Sequence, residues 1–214
     1  MRFLNHKHYH YTHFGPSVCF QSILKLLSSQ RNSADLVISM AKCELENSVH
    51  WLLIQVAAAL SCQRVGGTLI MGLQNSLLTA THDVLYFLST LYGKVEITKS
   101  LFSDQLSGDK LLICRNFLVQ DVRTLIFILG GWIKNGVDNS RSLLNVRPPR
   151  RFTDTLIEIN ASLGQKQLES IRAAIASVEA SSRQREQQGD NVRISKCEQW
   201  CLPRGLRLCK DSPV

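Results

Sequence analysis

The chain has 214 residues, of which 44% are hydrophobic, so it is long enough to bury the core of an ordinary domain. Its formal net charge is +8, which favours either an anionic partner such as RNA or a solvated basic surface. The longest apolar run, Leu52–Leu60, contains Gln55 and falls short of the ~20 residues that span a bilayer, so no membrane anchor is indicated.

The seven cysteines include no CxxC pair, and they predict neither a disulfide framework nor a zinc ribbon. Reduced thiols in the nucleus or cytoplasm fit this usage best. Cys43, Cys62 and Cys114 lie in apolar patterns, where a free cysteine is typically a small buried hydrophobic residue. The pattern around the three carboxyl-terminal cysteines favours no single role.

Residues 1–16 form an aromatic and histidine-rich entry segment, with histidines at positions 6, 8, 10 and 13. Imidazoles at this density could hold a metal ion. However, no carboxylate or cysteine completes a ligand set nearby, and a polar, aromatic lead into a first helix explains the segment equally well. We therefore predict no metal site here, and Phe14-Gly15-Pro16 predicts a turn.

Residues 17–118 alternate between helical and strand patterns, which predicts an α/β sheet with a crossover connection. Helical spacing occurs over residues 17–30, about 48–63 and 77–91. Strand patterns occur over Asp35–Ser39, Thr68–Met71, Val95–Thr98 and Lys110–Phe117. Gly66-Gly67 predicts a turn before the second strand, and Tyr92-Gly93-Lys94 is expected to cap the third helix.

Two further segments complete the predicted organisation. Residues 119–182 form a helical extension, and residues 183–214 form a basic tail. Arginines concentrate in this half of the chain, and their guanidinium groups suit phosphates. Alternatively, the same charges belong to a solvent-exposed face of a helix and serve only solubility.

The order and spacing of four segments resemble an FtsJ-type RNA ribose 2′-O-methyltransferase, and within that group the cap-specific mRNA (nucleoside-2′-O-)-methyltransferases. The four segments are Asp35–Ser39, Gly66–Met71, Tyr92–Lys99 and Ser107–Phe117. Three later segments, Arg151–Leu156, Asn160 and Gln167–Ile171, resemble the carboxyl-terminal helical part of these enzymes. Phe14-Gly15-Pro16 favours the type 2 enzyme and leaves type 1 open.

This resemblance implies a partial Rossmann-like sheet of an S-adenosylmethionine-dependent methyltransferase, with capped mRNA or another RNA as its partner. The family holds a Lys-Asp-Lys-Glu set around the ribose hydroxyl. Its aspartate falls on Met40, its second lysine on Gly72 and its glutamate on Asp109, so only the last position keeps its chemical character. The resemblance also places Lys99 and Ser103 on a loop beside the RNA, and the expected RNA contacts include Arg150 and Arg151.

No glycine-rich cofactor loop of the kind that follows the first strand of a Rossmann-like enzyme precedes Met40. The resemblance therefore predicts an amino-terminally truncated and diverged chain. Truncation accounts for the missing loop, whereas Met40 and Gly72 require divergence, so we expect this chain alone to be inactive. Missing strands would leave an open sheet edge for a partner chain to cover.

Two other functional classes stay open at this point. The first is a non-catalytic RNA-binding or protein-interaction module on a degenerate methyltransferase fold. The second is an unrelated soluble scaffold. The sequence does not decide whether Met1 is the physiological start.

Overall fold

The structure is a computed structural model that describes residues 2–5, 8–11, 25, 32–40, 48–100, 103–136, 138, 141–179 and 182–206. Within these residues the strands are β1 (Arg2–Asn5), β2 (His8–Tyr11), β3 (Ala34–Ser39), β4 (Gln63–Leu73), β5 (Tyr92–Thr98) and β6 (Lys110–Phe117). The helices are α1 (Ser48–Cys62), α2 (Thr79–Leu91), α3 (Arg123–Asn135), α4 (Arg150–Glu179) and α5 (Ser182–Cys201), followed by a 3₁₀ turn at Leu202–Arg204.

The described strands form one mixed sheet with the order β2-β1-β3-β4-β6-β5. Strands β3 and β4 are parallel and are linked through α1, while the other neighbours are antiparallel. This arrangement confirms the α/β class and is compatible with a partial Rossmann-like sheet, because doubly wound sheets commonly carry antiparallel strands at an edge. The register places the carboxyl ends of β3, β4 and β5 and the amino end of β6 at the same end of the sheet.

The core lies between this sheet and α1. In β4 the side chains of Leu69, Met71 and Leu73 are buried, and the residues between them are half-buried, so the strand turns one face toward the core. Helix α1 buries 13 of its 15 residues. A helix that is apolar on nearly all sides has to be covered on more than one side. It packs against β3 and β4 and also against α2 and α3.

Three local predictions need correction. Gly66-Gly67 lies inside β4 rather than in a turn before it, because Gly66 takes a left-handed φ of +80° and absorbs a register shift against β3. Tyr92-Gly93-Lys94 belongs to β5, since Tyr92 pairs with Phe117 at once after α2 ends. The entry segment contributes the strand pair β1 and β2. The predicted turn at 14–16 falls outside the described residues, as does the helix at 17–30 except for Lys25.

Beside β3 the sheet continues through β1 and β2 of the same chain. Helices α3 and α4 lie in the predicted helical extension, and helical backbone continues through α5 to Cys201, where the sequence predicted a basic tail. No described helix combines the length and apolar character needed to cross a bilayer.

The chain divides into two compact units. The first comprises residues 1–99 and 108–162 and contains the sheet. The second comprises residues 100–107 and 163–214, and within it Gln167 Nε2 donates to the Leu106 carbonyl oxygen at 2.8 Å. Near its carboxyl end the Arg204 guanidinium lies 4.6 Å from the centre of the Trp200 ring, a cation–π contact at a partly exposed site.

Candidate functional site

Met40 and Gly72 are neighbours at the carboxyl end of the parallel pair. Ser39 is paired with Met71, so the next residue of each strand falls side by side. A Cβ atom built on Gly72 would lie 4.0 Å from the Met40 Cα. The two positions at which the resemblance expects an aspartate and a lysine are thus brought together, but a 55% exposed methionine and a glycine occupy them.

Lys110, which the sequence analysis did not select, lies at the same end of the sheet. It pairs with Leu73, the residue after Gly72, and its Nζ donates to the Gly108 carbonyl oxygen at 3.2 Å. Burial lowers the pKa of the Lys110 amine and the nearby Lys99 lowers it further, while Asp109 opposes both effects. Two lysines and one acid therefore influence one another electrostatically beside the carboxyl end of β4. Finding Lys110 required the β4–β6 register, which no sequence motif shows.

The other predicted RNA contacts are distributed along the chain. Arg150 and Arg151 are exposed at the start of α4, and Arg150 Nε lies 3.6 Å from Asp154 Oδ2. An exposed ion pair of this kind is weak and leaves the guanidinium accessible to a phosphate. Ser103 belongs to the second compact unit, where its hydroxyl donates to the Ser100 carbonyl oxygen at 2.8 Å. This bond holds a local turn.

A small polar recess opens between the amino end of α1 and the carboxyl end of β4. Its volume is about 10 Å³, and its lining includes Ser48, Gln55, Gly72, Gln74 and Asn75. Gln55 is fixed there because its Oε1 accepts a hydrogen bond of 2.5 Å from the buried Ser39 hydroxyl. The Ser48 hydroxyl is also buried, but among the described residues it has no hydrogen-bond partner. Sequence patterns could not reveal Ser48, because its significance depends on burial.

The loop after β4 is held in place by α2 and α4. The Asn75 side chain accepts from the Leu77 amide at 2.9 Å, and the Ser76 hydroxyl donates to Asn160 Oδ1 at 2.6 Å. The Ser76 carbonyl oxygen accepts from Asn160 Nδ2 at 3.2 Å and lies 2.9 Å from His82 Nε2. Asn160 and His82 thereby help to hold the loop that lines the recess.

The described residues at this end of the sheet do not fit S-adenosylmethionine. Sites for ligands of this size enclose roughly 300 Å³ or more, whereas the recess has about 10 Å³. Met40 and Gly72 offer neither a charge nor a hydrogen-bonding side chain to such a ligand. Metal binding finds no support in the described part of the chain either, where no three His, Cys, Asp or Glu side chains are grouped to hold an ion.

Comparison with models of known protein families found no matching family, and a search of curated proteins found no match.

Proposed function

We propose that this chain is a diverged relative of the FtsJ-type mRNA cap ribose 2′-O-methyltransferases that does not transfer methyl groups by itself. The juxtaposition of Met40 and Gly72 carries this proposal. Their backbone positions meet at the sheet end where the family would perform its reaction, and the mixed sheet is compatible with a partial fold of that kind. Capped mRNA would be the ligand, in the nucleus or cytoplasm.

The chemistry explains the expected inactivity. A ribose 2′-hydroxyl is a poor nucleophile, and a positioned lysine amine can help remove its proton if nearby carboxylates tune that lysine. Gly72 has no group that accepts a proton, and Met40 has no charge to orient a lysine. Asp109 supplies an acid at the same end of the sheet, but an acid alone does not replace the pair.

A methyl-transfer assay tests this proposal. The purified chain is incubated with radiolabelled S-adenosylmethionine and capped RNA, and a cap 2′-O-methyltransferase of known activity serves as the positive control. We expect no label in RNA above the enzyme-free background, and no heat of binding on titration with S-adenosylmethionine. Repeated turnover by this chain would overturn the proposal.

A non-catalytic RNA-binding module on the same fold is the second candidate. It is favoured by the adjacent, exposed Arg150 and Arg151 and by the two lysines at the carboxyl end of β4. Phosphate contacts release counterions, so the affinity for RNA should fall as salt rises. If three phosphates of a single strand are neutralised, the dissociation constant should rise roughly 20-fold between 50 and 200 mM salt.

Fluorescence anisotropy with a labelled capped oligonucleotide measures this binding. The double variant Arg150→Gln/Arg151→Gln should weaken binding and flatten the salt dependence, since two phosphate contacts are lost. Lys166→Gln/Arg172→Gln is the matched control, because it also removes two exposed cations of the same helix, both outside the predicted set. Equal losses in the two variants would reject the assignment to Arg150 and Arg151, and no binding at 50 mM salt would reject the module.

A further inference from the structure

We propose that the recess between the amino end of α1 and the carboxyl end of β4 binds an oxygen atom of a phosphate-class anion, with the Ser48 hydroxyl as a donor. This inference goes beyond the proposed function, because it holds whether or not the chain binds capped RNA. The phosphate can come from a nucleic acid or from a free phosphate compound.

The first observation is the Ser48 hydroxyl itself. Ser48 is only 9% exposed, lines the recess, and has no hydrogen-bond partner for its Oγ among the described residues. A buried hydroxyl without a partner destabilises the folded state, so such groups are rare unless a water or a ligand satisfies them. By contrast Ser61, in the same helix, is fully buried and donates to the Ala57 carbonyl oxygen at 2.7 Å.

The second observation is the position of Ser48 at the first turn of a 15-residue helix. The first amide groups of a helix have no partner within the helix, and the helix dipole makes this end attractive to anions. The first turn of α1 contains no acidic residue that would occupy this position. The dipole of α1 therefore favours an anion beside the Ser48 hydroxyl.

The third observation is the charge beside the recess. Lys110 pairs with Leu73, which also lines the recess, and Lys99 lies close enough to Lys110 to disfavour its protonation. Asp109 offsets part of this positive charge. Because Lys110 pairs with a residue of the recess, its amine favours an anion over a neutral ligand there.

The size of the recess limits what enters it. A volume of about 10 Å³ is about that of one water-sized sphere. One phosphate oxygen fits, and the remainder of the group would stay at the mouth of the recess. Gln74 and Asn75 line that mouth, and the bonds of Ser76 to Asn160 fix their loop.

Thermal unfolding with and without inorganic phosphate tests the site, with sodium chloride at matched ionic strength as the reference. Phosphate should raise the Tm of the wild-type chain, because a ligand that binds only the folded state stabilises it. Ser48→Ala should have a Tm equal to or above that of wild type without phosphate, since it removes an unsatisfied group, and should lose most of the phosphate-dependent rise. Ser48→Thr, which keeps the hydroxyl, should retain the rise, and Ser61→Ala should retain it at a lower starting Tm.

Amide chemical shifts give a second measurement that does not depend on any variant folding. Titration of the wild-type chain with inorganic phosphate should move the amides of residues 48–51 and 72–75 in a saturable manner, and Ser48→Ala should weaken the binding roughly tenfold. Absence of saturable shifts, or equal affinity in Ser48→Ala, would overturn the proposal. A 5′-phosphorylated dinucleotide that binds more tightly than phosphate identifies a nucleic-acid source, and equal affinity identifies the free anion as sufficient. Neither measurement uses capped RNA. A negative result for phosphate therefore does not test the proposed function, and a negative result with capped RNA does not test this phosphate site.

Discussion

At the scale of single residues, the Gln63 side chain is a second buried group of the described chain, after Ser48, that has an unpaired polar atom. It is fully buried, and its Oε1 accepts a hydrogen bond from the Tyr92 hydroxyl, but its Nε2 has no partner among the described residues. Gly67 lies directly against it, since a Cβ on Gly67 would approach Gln63 Cγ to 2.8 Å. The absence of a side chain at position 67 is therefore what admits the Gln63 amide into the core.

This pair makes a double-mutant prediction. Tyr92→Phe should lower the free energy of unfolding by about 1–2 kcal/mol, because it leaves Oε1 unpaired as well. Gln63→Met/Tyr92→Phe should recover part of that loss, since it removes both polar groups and keeps similar volumes. Tyr86→Phe is the control, because its ring keeps the edge contact with Phe152, 5.2 Å between centres. Urea denaturation checks these values, and a double variant that is less stable than Tyr92→Phe would contradict the assignment.

At the scale of elements, one carboxylate ties α2 to the segment between α3 and α4. Asp83 is 2% exposed and accepts from the Ser142 hydroxyl and the Leu143 amide, each at 2.7 Å. The Leu144 amide is 3.4 Å away. Asp83→Ala should lower the free energy of unfolding by roughly 2–3 kcal/mol, because hydrogen bonds to a charged group are the stronger kind. It should also speed hydrogen exchange at the Leu143 amide.

Asp121→Ala serves as the comparison for this prediction. Asp121 is exposed, and its main charged contact is a surface ion pair with Arg123 at 2.6 Å. Pairs of this kind contribute at most about 1 kcal/mol. Equal effects of the two substitutions in chemical denaturation would show that Asp83 does not hold the segment.

The same scale explains which parts of the fold and of the site the sequence could predict. Apolar periodicity predicts helices α1 and α2, and both termini of each helix lie within two residues of the predicted bounds. The start of β5 was missed because Tyr92 ends a helix and begins a strand at once. Strand β1 pairs with its neighbour β2 and with β3, about 30 residues away along the chain. The pairing with β3 joins it to the sheet, and a contact over this sequence distance leaves no local signal.

For the candidate site, the sequence selected Met40, Gly72, Lys99 and Asp109, and the parallel pairing of β3 and β4 explains why the first two meet. It did not select Lys110 or Ser48. A lysine at the start of a strand and a serine at the start of a helix are common, and only register and burial distinguish these two.

At the scale of the whole molecule, buried acids make stability depend on pH. Burial raises the pKa of the Cys114 thiol to about 12 and also raises the pKa values of Cys62 and Tyr92. In the unfolded chain a thiol loses its proton near pH 8.5. The folded state retains these protons at higher pH, so their contribution to stability is complete below about pH 8.5 and is lost as the pH rises toward 12. The formal charge of +8 also declines toward zero near pH 9.3, which reduces repulsion and acts in the opposite direction.

We expect the buried groups to dominate, because each adds a slope of ~1 kcal/mol per pH unit once its unfolded form ionises, while repulsion among exposed charges is screened by salt. Urea denaturation at pH 7, 9 and 10.5, with a reductant present, should therefore give a free energy of unfolding that decreases through this series. The free energy of unfolding of Cys114→Ala should be lower than that of wild type at pH 7, because the substitution leaves a cavity. It should decrease less steeply with pH, because unfolding of the variant releases about one proton fewer. Cys197→Ala, at an exposed position, should follow wild type. If the free energy of unfolding of Cys114→Ala falls with pH as steeply as that of wild type, the Cys114 thiol has the same pKa in the folded and unfolded states. It is then not enclosed by the β4–β6 core.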